Sequence, residues 1–333
     1  MLFRSLREHA AEELSRAEVP SLGAGERLVG IGGTVRNLAK IELRRSEHPL
    51  PVLHGFELQV DRLDKLADQL ASRSMRHRAQ LPGLNPDRAD SILGGALVVL
   101  EVMDRIGAER LLVSSRGLRE GLALGDETRL PSPRWVRTIS VATLGARFAT
   151  WDPKLAERRA AIATRLHDTL EPEARDAVRE MLVHGATLLD IGRAIDYYDR
   201  FEHAAMIVTA ADLAGFTHEA LGILTAILRQ ADEDLRLGSY RRLIAEDDRG
   251  PVLRAAATLA LADQLNRRIP PEEQAAISCT WHPGAFVVVG AMPSGWQSRG
   301  LSDRFRHAFD RPLHVVSTTA APWDGRGPDR TRW

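Results

Sequence analysis

The sequence predicts an α/β region, then a helical region, and then a small α/β cap. Up to about residue 130, short apolar runs alternate with stretches of helical spacing, which is typical of α/β layers. Between about residues 151 and 268, the apolar residues recur almost throughout at helical spacing. Near the end, Ala275–Trp281 and Ala285–Val289 carry β-branched residues on both sides of His282-Pro283-Gly284, which predicts a hairpin.

Two strand-helix pairs are expected early in the first region. Glu26–Gly30 reads as a strand, and Thr34 is a suitable N-cap for a helix over Val35–Leu43. His54–Gln59 is a second candidate strand, and a helix over Val60–Ser72 follows it directly.

A third helix is expected to start at Asn85-Pro86-Asp87. Asn85 is a favourable N-cap, Pro86 suits the first helical position, and the charge of Asp87 complements the helix dipole. Gly107 is the expected stop, and a strand over Arg110–Ser114 follows. The apolar positions at helical spacing are Ala89, Ile92, Leu93, Ala96, Leu100 and Met103.

Proline-rich breaks at Leu130–Pro133, Trp151–Pro153 and Arg268–Pro271 suggest the domain boundaries. We therefore expect an α/β domain over 1–135, a helical domain over 150–268, a small α/β subdomain over 269–320 and a tail over 321–333. Within the last two domains, the expected elements are a helix over His218–Gln230 capped by Thr217, a helix over Leu301–Phe309 and a strand over Leu313–Ser317.

The composition narrows the function classes. The 333 residues include 45 basic and 45 acidic side chains, so no broad attraction to nucleic acid or anionic lipid is expected. The hydrophobic fraction of 44% argues against disorder, and no apolar run approaches the ~20 residues that span a bilayer. The single cysteine, Cys279, excludes an internal disulfide framework and suits the reducing cytoplasm.

The glycine-rich loop Gly30-Ile31-Gly32-Gly33-Thr34 lies between a predicted strand and a predicted helix. Glycines allow backbone N–H groups to approach an anion, and a helix N-terminus favours negative charge. The candidate phosphate- or nucleotide-binding residues here are Gly30, Gly32, Gly33 and Thr34. The alternative is an ordinary tight turn between strand and helix.

Two arginines are further candidates for binding phosphate. Arg119 follows the Leu111–Val113 strand, and ligands gather at the carboxyl ends of strands in open α/β sheets. An ion pair that fixes the turn is the alternative for Arg119. Arg88 would oppose the dipole in the first turn of its helix, which suggests either a phosphate partner or a salt bridge with Asp87 or Asp90.

Four segments together resemble the exopolyphosphatase and guanosine pentaphosphate phosphohydrolase family, and the likeness continues weakly through the helical region. The segments are Gly30-Ile31-Gly32-Gly33-Thr34-Val35-Arg36-Asn37-Leu38-Ala39, His54-Gly55-Phe56-Glu57-Leu58, Leu84-Asn85-Pro86-Asp87-Arg88-Ala89-Asp90 and Val113-Ser114-Ser115-Arg116-Gly117-Leu118-Arg119-Glu120-Gly121. The resemblance implies an actin-like ATPase fold with ribonuclease-H-like lobes, followed by a domain like that of metal-dependent (HD) phosphohydrolases. It also implies release of terminal phosphate from polyphosphate or guanosine pentaphosphate, usually with magnesium, by a homo-oligomer.

The sequence departs from the family pattern in one important respect. It contains no Asp-x-Gly-Gly-Gly-Ser run, and its Asp190-Ile191-Gly192 lies in a helical context. We therefore expect an incomplete lobe that corresponds to the C-terminal portion of the family, and we assign no catalytic residue and no magnesium ligand. The chain alone is expected to be inactive, and the alternative is a non-catalytic nucleotide-binding or interaction protein. Side chains that could be considered for a metal in the helical region are His184, His203, His218 and Asp263.

Overall fold

A computed structural model describes residues 2–17, 19–124, 131–232, 236–293, 296 and 298–318. The chain divides into two compact units, Met1–Leu130 and Pro131–Trp333. The first unit contains a small sheet with helices, and the second is mainly helical with a sheet near its end.

The first unit has a three-stranded sheet in the order β1-β3-β2, where β1 is parallel and β2 antiparallel to the central β3. In chain order its elements are α1 (Leu2–Arg16), β1 (Leu28–Gly30), α2 (Gly33–Arg45), β2 (Glu57–Gln59), α3 (Val60–Ala71), α4 (Met75–Arg78), α5 (Ile92–Ile106), β3 (Arg110–Val113) and α6 (Leu118–Leu124).

Helix α5 is central to the packing of this unit, because it contacts α1, α2 and α3. One apolar side of α5, which includes Ile92, Ala96 and Leu100, is buried together with Leu38 of α2 and Leu63 of α3. Gly107 ends the helix in the left-handed conformation, with a φ of +73°, as the sequence predicts. This core fixes the N-terminus of α2 beside the ends of the strands.

Two sequence expectations for this unit are wrong. Helix α2 begins at Gly33, so Thr34 lies inside the first turn and makes no N-cap hydrogen bond. The helix expected from Asn85 is divided, because Asn85 Oδ1 accepts from the amide of Asp87 in a separate 3₁₀ turn, Pro86–Arg88, and α5 starts at Ile92. Arg88 therefore ends a short turn and does not oppose the dipole of a long helix.

The second unit starts with helices that begin at the proline-rich breaks. Ser132 and Asp152 cap the first two of them, each followed by proline at the first helical position. The helices are α7 (Pro133–Gly145), α8 (Pro153–Leu170), α9 (Asp176–Leu188), α10 (Arg200–Ala210), α11 (His218–Gln230) and α12 (Arg249–Arg268), with 3₁₀ turns at Leu189–Ala194, Gly238–Leu243, Glu246–Asp248 and Pro271–Ala276.

The end of this unit is a small sheet with one helix. Strand β5 (Ala285–Gly290) pairs antiparallel with β4 (Ser278–His282) and parallel with β6 (Leu313–Ser317), and α13 (Arg299–Phe309) packs against α12. The expected hairpin turn, the last helix and strand, and the Thr217 cap of α11 are confirmed. The first strand of the hairpin begins at Ser278 and not at Ala275, because Pro271–Ala276 forms a 3₁₀ turn. The expected tail, 321–333, lies outside the described residues.

In the part of the chain that the structure describes, no helix combines the length and apolar character needed to cross a bilayer.

Candidate functional site

Three chain segments meet at one edge of the sheet of the first unit. Because β1 and β3 are parallel, the residues that follow both strands lie side by side, and the amide of Ser114 donates to the carbonyl of Gly30 at 2.9 Å. The approach to the antiparallel β2 lies at the same edge, where the amide of Gly55 donates to Val113 at 2.9 Å. This is the edge at which α/β sheets bind ligands.

Gly32 shapes the entry into α2. Its φ of +95° and ψ of 175° fall in a region that only glycine populates readily, and Gly33 is the first helical residue. Among the described residues, the amides of Gly33, Thr34 and Val35 have no acceptor, as expected for a helix start without a side-chain cap. These amides carry the positive end of the helix dipole and can bind an anion.

The guanidinium of Arg88 lies against this helix start. A Cβ atom placed on Gly33 would come within 3.2 Å of Arg88 Nη2, so glycine allows the close approach. Arg88 is exposed, and no carboxylate of the described residues forms a salt bridge with it. The alternative expectation, a salt bridge with Asp87 or Asp90, is therefore wrong.

Asn37 connects Arg88 to the loop, a role that the sequence reading missed. Its Nδ2 donates to the carbonyl of Gly33 at 2.8 Å, and its Oδ1 accepts from the amide of Asn85 at 2.8 Å. One side chain thus binds both the start of α2 and the turn that carries Arg88. The spacing of four residues from Gly33 to Asn37 was a usable signal, since it lets a helical side chain reach that carbonyl.

Gly30 and Thr34 support the loop through packing. A Cβ on Gly30 would lie 2.6 Å from Leu111 Cδ2 and 2.8 Å from Val35 Cγ1, so glycine lets the strand and the helix approach. The methyl group of Thr34 packs over Gly95 of α5, where a Cβ would come within 2.3 Å of Cγ2. Thr34 is thereby held with its amide at the open end of α2.

Arg119 lies on the short helix α6 after β3, and its side chain is exposed. The structure shows no salt bridge of Arg119 among the described residues. The turn is fixed instead by Glu120, whose Oε2 accepts from the amide of Gly117 at 2.7 Å. That hydrogen bond, followed by smaller effects that include the charges of Arg119 and Arg116, lowers the pKa of the Glu120 carboxyl.

A groove of about 1040 Å³ begins at Asn37 and runs along the later part of α2. Asn37 and Asn85 line the groove, and Lys40 and Arg44 add two positive charges to its wall against the one negative charge of Glu47. An extended anion bound at the start of α2 could therefore continue along a basic surface.

The glycine loop does not fit a magnesium site. Magnesium prefers carboxylate and other oxygen ligands, whereas the loop presents backbone N–H groups and a guanidinium, which repel a cation. In the described residues, one group of three possible ligands is close together, Asp196, Asp199 and His203 in the second unit. Asp263, considered from the sequence, is paired with Arg159 and Arg200.

Two sequence models match the chain. A model described as the Ppx/GppA phosphatase family matches residues 2–130, and one described as Ppx/GppA phosphatase, domain III, matches residues 136–284. The first match contradicts the expectation that only a C-terminal portion of the family is present.

Solved structures of Ppx/GppA proteins align with only part of this chain. The crystal structure of the Aquifex aeolicus Ppx/GppA family member is 26% identical over 38% of this chain and 42% of that chain, with a TM-score of 0.33. A type II variant of the Aquifex aeolicus Ppx/GppA phosphatase is 27% identical over 36% of this chain and 39% of that chain, with a TM-score of 0.32. The alignments thus span less than half of these solved relatives. On the two sequence matches, the chain belongs to the Ppx/GppA phosphatase family.

Proposed function

We propose that this chain binds the phosphate groups of polyphosphate or of a guanosine phosphate at the N-terminus of α2. The observation that carries this proposal is the guanidinium of Arg88 beside Gly33, without a carboxylate partner in the described residues. A guanidinium and free amides that converge on one point are suited to phosphate oxygens. Family membership supports a phosphohydrolase-like role for such a site.

The groove along α2 supports an extended ligand. A terminal phosphate at Gly33 would leave the rest of a phosphate chain, or a nucleoside, to follow the wall that contains Lys40 and Arg44. Arg119, exposed on α6 directly after β3, would meet another phosphate of the ligand. The candidate binding residues remain those proposed from the sequence, Gly30, Gly32, Gly33, Thr34, Arg88 and Arg119, and Asn37 is added as the residue that positions Arg88.

We further propose that this chain alone binds without efficient hydrolysis. Cleavage of a phosphoanhydride needs a positioned base and a charge-neutralising group at the transferred phosphate. The described loop supplies the neutralising arginine and amides, whereas the sequence has no Asp-x-Gly-Gly-Gly-Ser run to add carboxylates there. A cytoplasmic location fits both the phosphate ligands and the single cysteine.

The test is a calorimetric titration of the whole chain with tripolyphosphate and with guanosine tetraphosphate. The variant Arg88→Gln should weaken binding about tenfold, since it removes a charge-assisted contact. Arg76→Gln is the matched control, because Arg76 is also exposed in the same unit and has no salt bridge among the described residues. Equal binding by both variants would contradict the site.

Phosphate release in the presence of magnesium separates binding from catalysis. Sustained turnover by the purified chain would overturn the proposal of binding without hydrolysis and leave the site itself standing. Absence of any binding would favour the second candidate, a non-catalytic interaction protein of the family.

A further inference from the structure

A buried group of four charges lies in the second unit, away from the glycine loop along the chain. Arg159 is fully buried, and its Nη2 lies 2.8 Å from Asp190 Oδ2 while its Nη1 lies 3.2 Å from Asp263 Oδ1. Arg200 is also buried and donates to Asp263 Oδ2 at 2.7 Å. Two arginines and two aspartates therefore balance one another out of contact with water, as buried charges must.

Two further arginines, Arg193 and Arg267, stand at the surface of this neutral group. Arg193 Nη1 is 3.8 Å from Asp190 Oδ1, and Arg267 Nη1 is 3.8 Å from Asp263 Oδ2, too far for hydrogen bonds. Their side chains are 39% and 34% exposed. Since Arg159 and Arg200 already neutralise Asp190 and Asp263, the charges of Arg193 and Arg267 are in excess over those of the two buried aspartates.

The ring of Tyr197 holds the arginines together. The guanidinium carbons of Arg193, Arg200 and Arg267 lie 5.6, 5.2 and 5.1 Å from its centroid. Such contacts are attractive for each cation, yet they bring like charges close to one another. Desolvation is the main cause that lowers the pKa of Arg267, and the neighbouring charge of Arg268 lowers it further. Asp190 opposes this shift, and the charges of Arg193 and Arg159 add smaller decreases.

Two acidic residues, Asp196 and Asp199, lie exposed on the adjoining loop. Asp196 Oδ1 accepts from the amides of Tyr198 at 2.7 Å and Asp199 at 3.1 Å, so this carboxylate caps its own turn. Neither Asp196 nor Asp199 forms a salt bridge with Arg193 or Arg267 among the described residues. The two exposed guanidinium groups are thus available to an anion from solution.

We propose that Arg193 and Arg267 form a second anion site, which binds phosphate groups of an oligophosphate. A guanidinium fork matches two oxygens of a phosphate, and two forks anchored on one tyrosine ring suit a ligand with adjacent phosphates. The choice of ligand rests on the proposed function, whereas the site itself is independent of the glycine loop.

The experiment is a titration of the whole chain with tripolyphosphate at low ionic strength, where charge contacts are least screened. Wild type should show two binding events. The double variant Arg193→Gln/Arg267→Gln should lose one of them or weaken it about tenfold, since two charge-assisted contacts are removed. Arg241→Gln, an exposed arginine of the same unit without a salt bridge among the described residues, is the control and should behave as wild type.

The two sites can be separated in the same assay. If Arg88→Gln removes one event and the double variant removes nothing, the second site is wrong and the proposed function stands. If the double variant removes an event that Arg88→Gln leaves intact, the second site stands whatever the fate of the first. We expect the affinity for tripolyphosphate to be unchanged when sulfate is added at the same concentration. If sulfate displaces tripolyphosphate under these conditions, the assignment of the site to phosphate chains is wrong.

The double glutamine variant could lose binding simply because it does not fold. A second variant, Arg193→Lys/Arg267→Lys, is therefore measured as well. This variant keeps both charges and loses the fork, and its affinity for tripolyphosphate should fall between wild type and the glutamine variant. Wild-type affinity in the lysine variant together with wild-type affinity in a folded glutamine variant would overturn the inference.

Discussion

Asn37 Oδ1 accepts a hydrogen bond from the backbone amide of Asn85 at 2.8 Å. The two residues are 48 positions apart in the sequence. The nitrogen of the same side-chain amide, Asn37 Nδ2, donates to the carbonyl of Gly33. The relationship fixes the turn that ends in Arg88 against the helix start that would bind phosphate.

Replacing Asn37 should therefore weaken phosphate binding, although Asn37 itself does not contact the ligand. Asn37→Leu keeps the helix but loses both hydrogen bonds, and we expect several-fold weaker tripolyphosphate binding with about 1–2 kcal/mol lower free energy of unfolding. Calorimetry and urea unfolding measure the two effects. Asn37→Asp retains the acceptor for Asn85 and adds negative charge at the site, so its binding should fall more than its stability. Unchanged binding in both variants would show that Asn37 does not position Arg88.

Two neighbouring glycines of α5 provide a matched pair for the role of Thr34. A Cβ at Gly94 meets open space, whereas a Cβ at Gly95 would come within 2.3 Å of Thr34 Cγ2. Gly94→Ala should stabilise the protein by roughly 0.5–1 kcal/mol, because alanine has the higher helix propensity. Gly95→Ala should displace Thr34 and lower tripolyphosphate affinity. Thermal unfolding and calorimetry compare the two variants, and equal effects on binding would argue against a role for the packing of Thr34.

The local elements of this protein could be predicted largely from sequence because their signals are local. Gly107 and the Pro283-Gly284 turn act through their backbone preferences, and Thr217 acts through its hydroxyl, which accepts from the amide of Ala220. The structure has each at the expected boundary. The cap at Thr34 failed because Gly32 can adopt a positive φ, which moves the helix start two residues earlier.

The candidate site was only partly predictable for a different reason. The glycine loop and Arg88 were proposed from motif and position, but their proximity depends on Asn37, which reaches across 48 residues to Asn85. The arginines at Tyr197 were not found, because Arg193, Arg200 and Arg267 come from three separate elements and no spacing in the sequence relates them. Tertiary contacts of this kind leave no periodic pattern.

The buried charges around Arg159 should be far more important for stability than an exposed pair of the same chemistry. Arg159→Met would leave Asp190 without its strongest partner in the interior, and breaking such a buried pair costs about 3–5 kcal/mol. The control is Arg179→Met, which removes an exposed ion pair with Asp168 that spans 2.6 Å and should cost about 0–1 kcal/mol. Urea unfolding compares both with wild type. Equal losses of unfolding free energy in the two variants would show that the charges around Arg159 are hydrated in the folded protein.

The stability of the second unit should fall in mild acid because two of its buried histidines, His167 and His184, have lowered pKa values. His167 has no hydrogen-bond partner for either ring nitrogen, and desolvation lowers the pKa of His167 and of His184. In mild acid these two histidines therefore bind protons more readily in the unfolded chain than in the folded chain. The stability that depends on neutral His167 and His184 is fully present above the unfolded pKa of about 6.5, and it is lost as the pH falls below that value.

Urea unfolding between pH 7.5 and 5 measures this dependence, a range chosen around the unfolded pKa of about 6.5. His167→Leu removes one titrating group from the interior, so its stability should fall less steeply than that of wild type as the pH decreases. His307→Gln is the control, because His307 is exposed on α13, and it should retain the wild-type slope. If His167→Leu and His307→Gln show the same slope as wild type, His167 is protonated in the folded state as readily as in the unfolded chain, and its burial does not govern the acid sensitivity.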